Sequence, residues 1–171
     1  MKKLLRLFVL AFLIGIFSLG IINPVKAAPS DTELLKEGVA AWAKGWSSGD
    51  NRFTMNRVAD LYEHSDRFLE FNTISPADTV TKGYQNFQAL WEPTMQESTH
   101  AYTTLDDDIQ VITDGKIGLT SFTFETEFTD RESGERFAEH GHASIVWAKQ
   151  NDGWKIVHEH VSNPVRVEPS V

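Results

Sequence analysis

The sequence contains no cysteine. No disulfide can brace it, no lipoprotein can form from it and no thiol nucleophile exists, so stability must come from a packed core. Positive charge is also scarce, with 16 Lys and Arg set against 24 Asp and Glu. Such a surface repels phosphate backbones and argues against nucleic-acid binding. There is no glycine-rich phosphate loop and no serine in a nucleophile elbow, which removes common nucleotide-binding and serine-hydrolase arrangements. Internal repeats, low-complexity tracts and a linker to a second domain are absent as well. Long apolar runs are missing everywhere except near the N-terminus.

That run, roughly Leu7 to Ile22, follows the basic residues Lys2, Lys3 and Arg6 and precedes the short-residue site Val25-Lys26-Ala27. The pattern reads as a signal peptide cleaved after Ala27. As an uncleaved anchor it would be short for a span of about 20 residues. Membrane contact is therefore expected only through this segment before cleavage, and the mature protein is expected in the periplasm or outside the cell. Removing 27 of the 171 residues leaves 144, one domain able to bury about two thirds of its unfolded surface. Lys2, Lys3, Arg6 and Lys26 leave with the segment, so the net charge moves from −8 to −12. Residues 28–164 are read as the domain and 165–171 as a frayed tail.

Ser30-Asp31-Thr32-Glu33 is a capping box, and Leu35, Val39, Trp42 and Trp46 form the apolar stripe of the helix it starts, with Gly49 as its stop. Core packing against a sheet is the expected role of both tryptophans. A second, shorter helix is predicted from Asp50 or Asn51 to about Asp60, anchored by Phe53, Val58 and Leu61. Arg67 to Thr73 reads as a strand with Phe68, Glu70 and Asn72 on one face, and Ser75-Pro76-Ala77-Asp78 as a loop. Gly83 opens a third helix that buries Tyr84, Phe87, Leu90 and Trp91 and bends or ends near Pro93. Strands then follow at Thr99–Thr104, Ile109–Thr113, Ile117–Thr129, Arg136–Lys149 and Trp154–Asn163. Asp114-Gly115 is a tight turn between two of them. The order α-α-β-α followed by an antiparallel meander is that of an α+β fold.

The last two strands carry His140, His142, His158 and His160, four of the six histidines. Within Gly153 to Pro164, Trp154, Ile156, His158, His160 and Ser162 alternate against Lys155, Val157, Glu159 and Val161. A three-residue loop Asn151-Asp152-Gly153 pairs Gln150 with Trp154, Val146 with His158, Ser144 with His160 and His142 with Ser162. All four histidines then share one face. A two-residue Asp152-Gly153 loop shifts the pairing by one and splits them; the three-residue loop is preferred. One such face could reach a zinc ion, since i and i+2 side chains stand about 7 Å apart. It could equally be a half-buried polar row at a dimer interface or under a loop, and no metal or cofactor is assigned. Glu159 is a candidate acid–base carboxyl, because an apolar wall raises such a pKa toward neutrality; its alternative is a solvated residue paired with Lys155 or Arg136. Asp66, Glu70 and His64 are further candidates.

The element order and the ending Asp152-Gly153-Trp154-Lys155-Ile156-Val157-His158-Glu159-His160-Val161-Ser162 resemble the SnoaL-like branch of the nuclear transport factor 2-like superfamily. They are also similar to the association (hub) domain of calcium/calmodulin-dependent kinases. Lys82-Gly83-Tyr84 opening a helix with Trp91, and Tyr62 after the second helix, fit the same pattern. The resemblance implies a cone in which a curved sheet wraps a long helix around a pocket, and a convex face that often forms a dimer. It does not fix a function, since the superfamily includes isomerases, dehydratases, hydrolases, cyclases and non-catalytic hubs. Those branches are usually metal-free, which favours the structural role for the histidines.

Two functions follow. The first is a small-molecule pocket lined by Tyr62, Phe68, Trp91, Ile145, Trp147 and Val161, with or without acid–base chemistry at Glu159. The second is a non-catalytic oligomerisation or interaction module. By the resemblance, kinase hubs place arginines at the positions of Ile145 and Val161. Aliphatic residues there remove the fixed positive charge that would hold a carboxylate. Ala143, Ile145, Trp147, Glu159 and Val161 are expected to face the cone, and the ligand to be neutral or cationic and mostly apolar. A homodimer is expected through the convex face, motivated by Trp154, Ile156 and Val146, and loosening as its histidines charge between about pH 7 and 5.5.

Overall fold

A computed structural model of the chain describes residues 28–73 and 79–163. The expected signal peptide, the loop expected at Ser75-Pro76-Ala77-Asp78 and the expected tail lie outside those residues. The first helix, α1, spans Asp31–Trp46 and starts with the capping box: the Ser30 side chain accepts from the Glu33 N–H, and the Glu33 carboxylate accepts from the Ser30 N–H at 2.7 Å. Leu35, Val39, Trp42 and Trp46 all face the interior. The helix ends at Trp46, three residues before the expected Gly49. Ser47 closes it, its Oγ donating to the Ala43 carbonyl at 2.8 Å.

The expected second helix does not form. In its place two short 3₁₀ turns occupy Met55–Arg57 and Ala59–Leu61. The reason is steric: Phe53 and Met55 are both fully buried, and residues two apart in an α-helix point about 200° apart. The tighter, broken backbone brings both inside together with Val58 and Tyr62. Arg57 from this segment donates to the Gly45 and Ser47 carbonyls at 3.0 and 2.5 Å, covering the exposed C-terminal end of α1.

The strands are β1 (Leu69–Asn72), β2 (Thr79–Lys82), β3 (Ser98–Leu105), β4 (Gln110–Thr113), β5 (Ile117–Asp130), β6 (Arg136–Gln150) and β7 (Gly153–Ser162), with α2 (Tyr84–Gln96) between β2 and β3. Strand β2 was not foreseen. Helix α2 continues one turn beyond Pro93 rather than stopping at it, and Thr94 Oγ1 donates to the Leu90 carbonyl in that turn. The strands form one open, curved sheet in the order β2-β1-β7-β6-β5-β3, with β4 also on β5. All pairs are antiparallel except β1 and β7, which run parallel. Helix α1 lies against the inner face at two glycine contacts. A Cβ on Gly38 would stand 2.9 Å from the Trp147 ring, and one on Gly118 would stand 2.6 Å from Leu35.

The β6–β7 hairpin departs from the preferred reading in two ways that compensate. Gln150 pairs with Gly153, so the turn is the two-residue Asn151-Asp152 loop. A bulge then inserts Val157 between the pairs Trp147–Ile156 and Val146–His158. Beyond the bulge, His158, His160 and Ser162 meet Val146, Ser144 and His142 as expected. Before it the faces are exchanged. Ile156, expected outside, is fully buried, and Trp154 packs against the core. The apolar part of the outer face is instead the row Ile112, Leu119, Val146 and Leu69, flanked by Phe71.

Candidate functional site

Strands β1 and β7 place two glutamates side by side. Glu70 and Glu159 are registered partners on the parallel strands, and both are buried, at 1% and 2% exposure. The Tyr62 hydroxyl donates to Glu159 Oε2 at 2.6 Å, and the Trp42 indole N–H approaches the same oxygen at 3.4 Å. Trp91 donates its indole N–H to Glu70 Oε1 at 2.7 Å, joined by the Asn72 amide at 3.3 Å. Glu70 Oε2 has no hydrogen-bond partner among the described residues.

The electrostatics follow from this burial. Loss of hydration pushes Glu159 up to about 8, and the neighbouring Glu70 carboxylate adds to the shift, against the stabilising donors Tyr62 and Trp42. Glu70 is also raised, by burial, and its donors Trp91, Asn72 and Thr81 oppose the rise. Tyr62 is held well above its ordinary value by burial and by Glu159, so it stays a donor. The Glu70 charge is among the causes of the Glu159 rise, so the two carboxyls titrate as a coupled pair.

Above the pair opens a cavity of about 290 Å³. Its apolar wall comes from Trp42, Trp46, Trp91, Met95, Phe124 and Phe128, and its polar floor from Glu70, Asn72 and Glu159. Trp42 meets Phe124 edge-on at 5.3 Å and Trp46 meets Trp91 at 5.8 Å, which fixes the wall geometry. Glu97, Asp130 and Glu139 stand at more exposed positions of the same cavity, and among the described residues none that lines it is Lys, Arg or His.

Of the residues expected in the pocket, Glu159, Trp91 and Val161 line the cavity. Tyr62 lies behind its wall and acts through Glu159. Phe68, Ile145 and Trp147 are core residues instead: Phe68 packs against Tyr62 and Phe87, and Gly38 of α1 lies against the Trp147 ring, whose N–H is used by Thr120 at 2.9 Å. Ala143 is likewise core. Trp42 and Trp46, expected only to fill the core, also wall the cavity. Glu70 joins the site, whereas His64 and Asp66 are exposed; His64 stacks on Tyr84 at 3.9 Å. Glu159 makes no pair with Lys155 or Arg136, which bind Asp152 and Glu127.

The histidines lie on the opposite face of the sheet from the cavity. His140 faces Glu125 at 3.0 Å, and His158 Nδ1 meets the Leu69 carbonyl at 2.9 Å. Phe71 packs edge-on to His158 and His160. No three His, Asp or Glu side chains converge at metal-binding range among the described residues.

The model of the SnoaL-like domain matches residues 40–166 of the chain. A comparison with curated protein sequences gives no match. Among solved structures, a nuclear transport factor 2-like superfamily protein from Salmonella enterica is 21% identical, with a TM-score of 0.67 over 79% of this chain and 92% of the other. A candidate dehydratase of that family from Streptomyces avermitilis is 17% identical, with a TM-score of 0.66 over 80% and 97%. A protein from Xanthomonas campestris, described as a candidate calcium/calmodulin-dependent kinase II association domain, is 19% identical, with a TM-score of 0.57 over 80% and 86%. These likenesses are of fold. The helix-wrapping sheet, its closing hairpin and the matched span together make this chain a member of the SnoaL-like domain family, with the nuclear transport factor 2-like fold.

Proposed function

We propose that this domain binds a small, neutral or cationic, largely apolar molecule in its cone and performs acid–base chemistry on it. One observation carries the reading: two buried, adjacent carboxyls, Glu70 and Glu159, form the floor of an aromatic cavity lined by no basic residue. A pair of titratable groups whose environments separate their proton affinities divides into an acid and a base. Glu159, with its pKa near 8, holds the proton at neutral pH and is the acid. Glu70 is the base. Together they would suit isomerase-, dehydratase- or hydrolase-like chemistry, in which one group removes a proton and the other supplies one.

The arginines that could have restored an anion site are engaged elsewhere. Arg67 is bound to Glu63 and Arg136 faces Glu127, both largely in solvent. The test is a thermal-shift and calorimetric screen with neutral, cationic and carboxylate compounds of one size. Neutral or cationic compounds should stabilise the protein. Stronger stabilisation by small carboxylates would overturn the reading.

The proposal includes export through a cleaved N-terminal signal peptide and a homodimer through the outer sheet face. The exposed Ile112, Leu119 and Phe71 support the dimer, whereas Ile156 and Trp154 turn inward. N-terminal sequencing of exported material should begin at Ala28, and light scattering at micromolar concentration should give a dimer; a start at Met1 or a monomer would contradict these two points.

A further inference from the structure

The cavity contains two groups that fold formation leaves unsatisfied. Glu70 is 1% exposed, and its Oε2 makes no full hydrogen bond among the described residues, with the Thr81 hydroxyl beside the carboxylate. Trp46 is 9% exposed, and its indole N–H, on the Tyr62 side, meets no acceptor at hydrogen-bonding geometry. Both residues line the cavity. A buried acceptor and a buried donor left open are each costly. A carboxylate buried without a cation is costlier still. The groups facing Glu70 across the site are Glu159 on β7 and Tyr62, with Glu97, Asp130 and Glu139 further out; none can supply positive charge.

We propose that the ligand is an organic ammonium ion, a protonated amine on an aromatic or aliphatic body, with an N–H on Glu70 Oε2 and an oxygen a few atoms away accepting from Trp46 Nε1. This rests on the reading of the cavity as a ligand site. The ammonium group supplies the missing counter-charge and the missing donor at one point. Trp42, Trp46 and Trp91 line the cavity, and an indole face turned toward a cation attracts it, since the ring quadrupole is negative there. The oxygen satisfies the remaining orphan. Glu97, Asp130 and Glu139 then draw the cation toward the opening rather than bind it.

Four probes of one size separate the alternatives: 2-phenylethylamine, 2-amino-1-phenylethanol, 2-phenylethanol and phenylacetate, titrated calorimetrically into the full-length mature protein at pH 7. The amine should bind roughly tenfold or more tighter than 2-phenylethanol, the amino alcohol tighter again, and phenylacetate weakest. Glu70→Gln should erase the preference for the amine over 2-phenylethanol, and a retained cooperative thermal unfolding transition shows that the variant is folded. Equal or tighter binding of 2-phenylethanol to the unsubstituted protein overturns the ammonium assignment and leaves the cavity as a ligand site. Absence of binding by all four, with no response to other neutral or cationic compounds, overturns the ligand-site reading and this inference with it.

Discussion

Replacing Glu159 by Gln tests whether the domain really carries a proton in its core. The folded-state pKa of Glu159 is raised from 4.5 to about 8. Between those values the native state binds a proton that the unfolded chain does not. Stability contributed by the protonated form is therefore complete below about pH 4.5 and is lost as pH rises toward 8. Each pH unit costs about 1.4 kcal/mol, so the whole window is worth roughly 5 kcal/mol. Glutamine keeps an oxygen for Tyr62 and cannot ionise. The quantity to measure is the unfolding free energy of the wild type minus that of Glu159→Gln, by urea titration from pH 5 to 8.5. Titrating groups remote from the pair cancel in the difference, including Asp108, Asp114 and Asp130, whose lowered pKa values place their effects in the acid, whereas Glu70, coupled to Glu159, does not. The variant should gain on the wild type by about 1.4 kcal/mol per unit and level off above pH 8. A difference that stays constant across the range would show that Glu159 is ionised throughout and that the acid assigned to the site does not exist.

Tyr62→Phe removes the 2.6 Å donor from Glu159 and should cost about 1–3 kcal/mol. Because that donor favours the ionised form, the variant's pH-dependent loss of stability should also move to higher pH. Gly38→Ala places a methyl 2.9 Å from the buried Trp147 ring and should destabilise by about 1–3 kcal/mol, read as a lower urea midpoint at unchanged slope. Ser30→Ala breaks the capping box at the exposed start of α1 and should cost about 1 kcal/mol, with no effect on ligand affinity.

Much of the scaffold was legible because its signals are local. The capping box and a stripe spaced at four, three and four residues specify α1 without reference to anything else. Asp114-Gly115 specifies its hairpin equally directly: Asp114 Oδ1 accepts from the Lys116 and Ile117 N–H groups and Gly115 takes a φ of 86°. The failures arise where tertiary packing overrides the local pattern. Phe53, Val58 and Leu61 suggested a helix, but the core wanted Phe53, Met55, Val58 and Tyr62. The β7 alternation placed Ile156 outside, and a single inserted residue, Val157, turned it inward. The same bulge kept the histidines together despite the shorter turn.

The site was harder to read because its central contact is the least local one in the sheet. Strand β1 meets β7 in parallel, and Glu70 reaches Glu159 only after nearly the whole domain has been traversed. Nothing in either segment signals that partnership. Glu70 read alone is one acidic residue on a strand, and Glu159 read alone is a residue that Lys155 or Arg136 could pair. Their meaning comes from being paired, buried and left without a cation. The tryptophans illustrate the same point from the apolar side. An indole on a helix stripe is read as core, and Trp42 and Trp46 are core; yet the Trp42 N–H reaches past the packing to a carboxyl, and the Trp46 N–H lies on the Tyr62 side. Trp42 finds Glu159 there, whereas Trp46 finds no acceptor. A residue can thus fill the interior with its ring and define a binding site with one atom, and sequence periodicity registers only the ring.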